Sequence, residues 1–376
     1  MNRKQESLQA LSQSGTVNEK LSVLHKTVKE QHPFVARIAV ALYDTSTGSV
    51  RTFAYSSDDR TPLKHYETQL ENCHSLKKVA ESKSPRVIND LTTYQLDSKN
   101  EHSKTLVNAG FESSYTLPMI WENYFFGFIF FNAKEKNVFH DRVLSDLDMI
   151  GHMITLIVFN ERSRVRTLLA TIKSALDITH SRDPETGNHI ERMSRYARII
   201  AREVAVQYQL DDAFVEHVYL FAPLHDIGKV KIPDSILLKN DKLTESEFEV
   251  MRTHSEAGKK LVEKLLDNYG LSGVTHIDML KNIVLYHHEA IDGSGYPSHL
   301  KGSQIPLESR VVTVADIFDA LTSERPYKKA WTNDEAFKKL DELAKDKVDP
   351  DCVAALKKHR DKVEQIQKHF QENPFG

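Results

Sequence analysis

Two adjacent histidines, His287 and His288, open the run His287-His288-Glu289-Ala290-Ile291-Asp292-Gly293-Ser294-Gly295-Tyr296-Pro297. They follow the apolar Ile283-Val284-Leu285 and read as the end of a helix. Neighbouring helical residues point about 100° apart, so the pair suits two different ions better than joint chelation of one. His225-Asp226 comes after Val218, Leu220, Phe221 and Leu224, a pattern that predicts a buried helix. A buried imidazole beside a carboxylate is costly unless both are satisfied, and a bound cation does so at once. Gly228 would permit close backbone approach. Lys229 lies one helical turn beyond His225 and Asp226, where a cation would suit a phosphate oxygen; a solvated helix-end lysine is the alternative.

His254, in a Glu-rich helical pattern, would alone be a surface or core histidine and gains weight only from its companions. Asp316 and Asp319 stand three apart in the apolar run Val311 to Leu321 and share a helical face. Two carboxylates there require a partner, and a metal is the simplest. Glu185 and His189, at i and i+4 after Pro184, can coordinate an ion together. The alternative is a first-turn Glu favoured by the helix dipole, with an incidental His. Together these residues predict a multi-metal hydrolytic site.

The elements that must position them fall into two halves, as 376 residues predict. With 40% hydrophobic and 27% charged residues the chain is globular, and a net charge of −3 provides no global field for a nucleic-acid polymer or a membrane. The polar Met1 to Ala10 lacks the apolar core of a secretory signal. The longest mostly apolar run, near Met153 to Phe159, falls far short of the roughly 20 residues that span a bilayer. A cytoplasmic protein is expected. Cys73 and Cys352 are too few for a disulfide framework or thiolate site, and Cys73-His74 reads as structural.

Spaced leucines over Glu6 to Gln31 predict a short helix or helix pair. Strands are predicted at Val35–Tyr43, Val50–Tyr55, Arg86–Asn89, Ser113–Ile120 and Phe125–Phe131, with turns at Asp44–Ser49 and Asn123 and a helix near Leu63–Ser82. This is an α+β, sensor-like half. From Asp141 the spacing of Val143, Leu147, Ile150, Ile154 and Ile157 is helical, and no proline occurs before Asp183. One long helix or two abutting helices are expected, either dimerising or packed on their own sheet. Beyond Asp183 the chain is mainly helical, interrupted by loops at Lys231–Lys242 and Asp292–Pro306.

The motifs Glu185-Thr-Gly-Asn-His189, His225-Asp-Ile-Gly-Lys229, Pro233-Asp-Ser-Ile-Leu-Leu-Lys239, His254, His287 through Pro297, Ile305-Pro306 and Asp316 through Tyr327 resemble an HD-GYP domain, a subgroup of the HD metal-dependent phosphohydrolases. The preceding half resembles a GAF domain, with weaker motifs. The resemblance implies a GAF-like regulatory domain at 1–158, a linker helix at 141–180 and an all-helical catalytic domain at 181–376. It implies a di-iron or di-manganese centre, in some members with a third metal. His225, Asp226, His254, His287, His288 and Asp316 would be ligands, Asp226 bridging, with Glu185 and His189 completing a three-metal site. Imidazole and carboxylate ligands suit Fe or Mn better than Mg.

The family substrate is cyclic di-GMP, cut to the linear dinucleotide and in some members on to GMP, through a hydroxide bridging the metals. Lys229 would hold a non-bridging oxygen, Arg325 and Lys328 the second phosphate, and Tyr296 the pocket wall, with Asp183 and Asp319 as polar contacts near substrate or metal. Asp226 and Lys229 would carry the reaction. The alternatives are hydrolysis of 3′3′-cyclic GMP-AMP, or an inactive dinucleotide- or partner-binding module. A homodimer through the linker helix, and a small molecule or signalling partner at the first domain, are further expectations. Asn240-Asp241 and His299 depart from the family pattern and bear on loop shape.

Overall fold

The computed structural model describes residues 11, 15–58, 63–98, 101–179, 187–239, 241–269, 276–324 and 329–370. The chain divides into two compact units, Met1–Arg166 with Asp211–Ala213, and Thr167–Leu210 with Phe214–Gly376.

In the first unit the helix α1 (Val17–Gln31) starts where Thr16 accepts from Glu19 N at 3.1 Å and the Glu19 carboxylate accepts from Thr16 N at 2.7 Å. Its buried Val17, Leu21, Leu24 and Val28 recur on one face. Six strands, β1 (Val35–Asp44), β2 (Ser49–Ser57), β3 (Glu67–Gln69), β4 (Arg86–Ile88), β5 (Ser113–Trp121) and β6 (Tyr124–Ala133), form one antiparallel sheet in the order β3-β2-β1-β6-β5-β4. Alternation assigns the faces. Ile38, Val40 and Leu42 of β1 pack with α1, and Ala39 and Ala41 pack with α2 (His74–Ser82) through Leu76 and Val79. The short helices α3 (Leu91–Ser98) and α4 (Glu101–Asn108) complete this unit's cover.

Within the region predicted helical over Leu63–Ser82, only α2 is helical. The segment before it forms β3, which pairs Thr68 with Val50, and then a 3-10 turn at Leu70–Asn72. Pairing to an open sheet edge outweighs helix propensity there.

The helix α5 (Asp141–Thr179) is continuous over 39 residues. Val143, Leu147, Ile154 and Val158 are buried in the first unit's core, so the sheet-packed alternative holds for this stretch. Contrary to the short apolar run read from sequence, Asp141–Thr171 is long and apolar enough to cross a membrane, by length and composition alone.

The second unit is helical: α6 (Gly187–Gln207), α7 (Asp212–Phe221), α8 (Asp234–Leu237), α9 (Glu245–Arg252), α10 (His254–Asn268), α11 (Ile277–Tyr286), α12 (Leu307–Thr322), α13 (Asn333–Leu343), α14 (Pro350–Lys358) and α15 (Arg360–His369). The helix α12 is its centre. Val311, Val312, Val314, Ala315 and Phe318 are buried, and Phe318 meets Tyr196 of α6 edge-to-face and Phe337 of α13 at ring separations of 5.3 and 4.9 Å.

Candidate metal centre

Three of the metal-type histidines, His225, His254 and His287, are aimed by their own backbone. His225 and Asp226 do not lie on a buried helix as predicted; they join two 3-10 turns, Ala222–Leu224 and Ile227–Lys231. Pro223 starts the first turn and cannot continue an α-helical hydrogen-bond ladder from α7. The tight turn brings His225 Nδ1 to Ala222 O at 2.9 Å. His254 opens α10 with Nδ1 on Met251 O at 2.7 Å, and His287 caps α11 with Nδ1 on Ile283 O at 3.0 Å. A carbonyl only accepts, so each Nδ1 carries the proton and each Nε2 presents a lone pair.

Those lone pairs converge. Asp226, His254, His287 and His288 offer ligand atoms all within 4.8 Å of one another, and His189, His225 and Asp316 do the same. Asp226 faces both groups. Its Oδ1 is 3.2 Å from His254 Nε2 and 3.6 Å from His287 Nε2, while Oδ2 is 3.2 Å from His225 Nε2. His254 Nε2 and His287 Nε2 stand 3.4 Å apart, and Asp316 Oδ1 is 3.9 Å from His225 Nε2. Facing imidazole lone pairs repel unless something positive lies between them. The buried Asp226 Oδ1 makes no hydrogen bond. The donor set therefore fits divalent cations, with nitrogen and oxygen ligands and no thiolate.

The electrostatics keep these groups ready to coordinate. Burial, followed by the neighbouring His225 and His254 rings, pushes His287 below its usual pKa, and burial with His287 does the same more strongly for His288. Burial opposes charge on Asp226, but Lys229 and His225 outweigh it and hold the carboxyl well below its usual range. Lys229 Nζ lies 2.7 Å from Asp226 Oδ2.

Gly228 makes the assembly possible. A Cβ there would stand 1.8 Å from His254 O and 2.6 Å from Gly258 N, so only glycine lets the Asp226 turn press against α10. Thr313 of α12 donates to His287 O at 2.7 Å and ties the helix carrying Asp316 to the end of α11.

The loop after α11 lies beside these histidines. Glu289, buried, accepts from Ser298 N at 2.7 Å and Leu300 N at 3.0 Å and so shapes the Gly-Tyr-Pro turn. Tyr296 stacks on His288 with ring centroids 4.8 Å apart. Burial raises the Tyr296 pKa, so its hydroxyl stays protonated.

Asp319, expected as a polar contact near substrate or metal, stands next to the metal-type His189. It is fully buried behind His189, accepting from His189 Nδ1 at 2.6 Å, from Arg192 Nε at 2.7 Å and from Ser323 Oγ at 2.9 Å. With its oxygens thus engaged it orients the His189 ring. Arg192, Glu289 and Arg252 escaped the sequence reading; of these only Glu289, inside the His-His-Glu run, carried a local signal. Asp183, Glu185, Arg325 and Lys328 lie outside the described residues.

Residues 173–352 match the HD domain family model, and the second unit is an HD domain. The cyclic di-GMP phosphodiesterase response regulator RpfG of Xanthomonas campestris is 42% identical over 207 residues, covering 55% of this chain and 51% of that protein. A cyclic di-GMP phosphodiesterase of Thermotoga maritima is 39% identical, covering 48% and 46%, and the 3′3′-cGAMP-specific phosphodiesterase 3 of Vibrio cholerae is 36% identical, covering 48% and 36%. The chain thus spans about half, or less, of the length of these relatives.

Among solved structures, the GAF domain of a Coxiella burnetii phosphoenolpyruvate-protein phosphotransferase is similar at a TM-score of 0.35 and 13% identity, covering 42% of this chain and 92% of that one. The α+β assignment of the first unit rests on its own sheet order and not on that score.

Proposed function

We propose that this protein is a metal-dependent phosphodiesterase that hydrolyses cyclic di-GMP to the linear dinucleotide, under control of its first unit. The observation that carries the reading is Asp226, whose two oxygens turn to two separate groups of imidazoles. His225, Asp226, His254, His287, His288 and Asp316 would hold two divalent ions, with Fe or Mn favoured by the nitrogen-rich set. His189, with Glu185 added, would take a third. When bound, such ions supply an activated water and Lewis-acid stabilisation of the phosphoryl oxygens.

The protein's own residues do the rest. Asp226 stays ionised at every physiological pH because Lys229 and His225 hold its proton off. Lys229, next to that carboxylate, would bind a non-bridging phosphate oxygen. Tyr296 would line the pocket, and Asp183, Arg325 and Lys328 are assigned to the remaining phosphate and polar contacts. We divide the chain functionally into a regulatory domain at 1–158, a linker helix at 141–180 that joins two copies as a homodimer, and a catalytic domain at 181–376. A small molecule or signalling partner at the first domain would set the activity. Both cysteines are buried and unbridged, in keeping with a cytoplasmic location.

Relatives named for 3′3′-cGAMP support the second reading, a phosphodiesterase for that hybrid dinucleotide. Both are tested by incubating the Mn- or Fe-loaded chain with each dinucleotide and separating the products. Hydrolysis of cyclic di-GMP at the higher kcat/KM is expected. Fully loaded protein that cleaves neither would refute the enzyme reading, and undiminished turnover by His225→Ala would refute the ligand assignment.

A further inference from the structure

A strip of stacked planar groups runs outward from the metal-type histidines. His288 stacks on Tyr296, and the Arg252 guanidinium lies 5.2 Å from the centre of the Tyr296 ring. Phe248, one turn before Arg252 on α9, faces the same guanidinium at 4.8 Å. The strip begins at the half-buried His288 and ends in solvent, since the Arg252 side chain is 37% exposed and Phe248 is 42% exposed.

The guanidinium is held in one orientation. Nη1 donates to Glu249 Oε1 at 2.8 Å, and Nε is shielded from solvent without an acceptor. Among the described residues that bond to Glu249 is the one hydrogen bond the group makes, which leaves further N–H donors of its Nη1 and Nη2 groups unengaged by them. A planar cation held against two aromatic rings offers its remaining N–H donors, in its own plane, to the edge of a nucleobase. Its chemistry selects among bases. Guanine presents O6 and N7, both acceptors, whereas adenine carries an amino donor in place of O6.

We propose that Arg252 is a specificity-determining residue that receives one guanine of the substrate, donating to its acceptor edge in the plane of the guanidinium. This rests on the cyclic-dinucleotide reading of the site. It assigns to this end of the pocket the discrimination between guanine and adenine. His254 follows two residues later, so the proposed base contact and one of the metal-type histidines sit on one continuous segment.

The test uses the full chain, metal-loaded, with Arg252→Met, which keeps the stem but has no donor, and Arg252→Lys, which keeps charge without the plane. Steady-state hydrolysis and equilibrium binding are measured with cyclic di-GMP and 3′3′-cyclic di-AMP, and bound metal is counted. Arg252→Met is expected to raise KM and Kd for cyclic di-GMP roughly tenfold, the loss of one charge-assisted hydrogen bond, with kcat and metal content holding. The values for cyclic di-AMP should move far less, and Arg252→Lys should fall between. Unchanged KM and Kd for cyclic di-GMP, or an equal rise for both dinucleotides, would overturn the proposal. If the wild-type chain binds cyclic di-GMP without cleaving it, the phosphodiesterase reading fails, and a tenfold loss of binding in Arg252→Met still upholds the assignment. A wild-type chain that binds neither dinucleotide overturns both.

Discussion

The two units each bury histidine, and they use it in opposite ways. In the first, His25 of α1 has both ring nitrogens engaged, Nδ1 with Ser56 Oγ at 2.8 Å and Nε2 with Val35 O at 2.9 Å. In the second, His225, His254 and His287 each spend Nδ1 on a backbone carbonyl of their own turn and direct Nε2 into a common space. The first arrangement is complete within the protein and staples a helix to a sheet. The second is incomplete, because facing lone pairs call for a cation. What separates the structural histidine from the proposed ligands here is where the second nitrogen points, and not burial.

That contrast can be broken most forcefully at the inward nitrogens. His287→Ala should cost bound metal and lower cyclic di-GMP hydrolysis by about a thousandfold or more, read by elemental analysis and product chromatography. Retention of full metal would show that His287 only fills space. Gly228→Ala should be nearly as damaging by another route. Its methyl group would overlap His254 O, so a loss of about 3 kcal/mol or more in the second unit is expected, together with weakened metal retention. A thermal melt that matches wild type would mean the turn can yield.

Smaller effects sharpen the comparison. Glu289→Gln keeps one acceptor but loses the charge that two backbone amides share, and should cost about 1–2 kcal/mol and raise KM with metal content intact. His25→Leu should cost about 1–2 kcal/mol in the first unit and leave metal content untouched. Burial depresses the His25 pKa, so on acidification through about 6.5 the unfolded chain takes up that proton first. First-unit stability is therefore full above that pH and declines below it. Denaturant melts across this range should show the slope in wild type and its reduction in His25→Leu.

The sequence made legible what local chemistry dictates. The long helix announces itself through its period and lack of proline, the strands through alternation and turn residues, and the ligands through His-Asp and His-His pairs stranded in apolar runs. Less legible was anything fixed by distant partners. Asp319 reads from sequence only as a polar contact near substrate or metal, because Arg192, its partner, lies 127 residues away along the chain. Arg252 showed nothing until Tyr296 was folded against it. The turn at His225-Asp226 read as helix because a buried α-helix and a pair of 3-10 turns share much the same apolar pattern over so few residues. Likewise, β3 is strand only because β2 is beside it.

The central claim is that Asp226 joins two groups of inward-facing donors into one polynuclear centre. It is tested most directly by counting ions per chain in Mn- or Fe-reconstituted protein after dialysis, for wild type and Asp226→Asn. At least two tightly held ions in wild type, falling in Asp226→Asn together with the loss of cyclic di-GMP hydrolysis, is the predicted result. Hydrolysis by a chain that binds one ion or none, or an unchanged count in the variant, would contradict it.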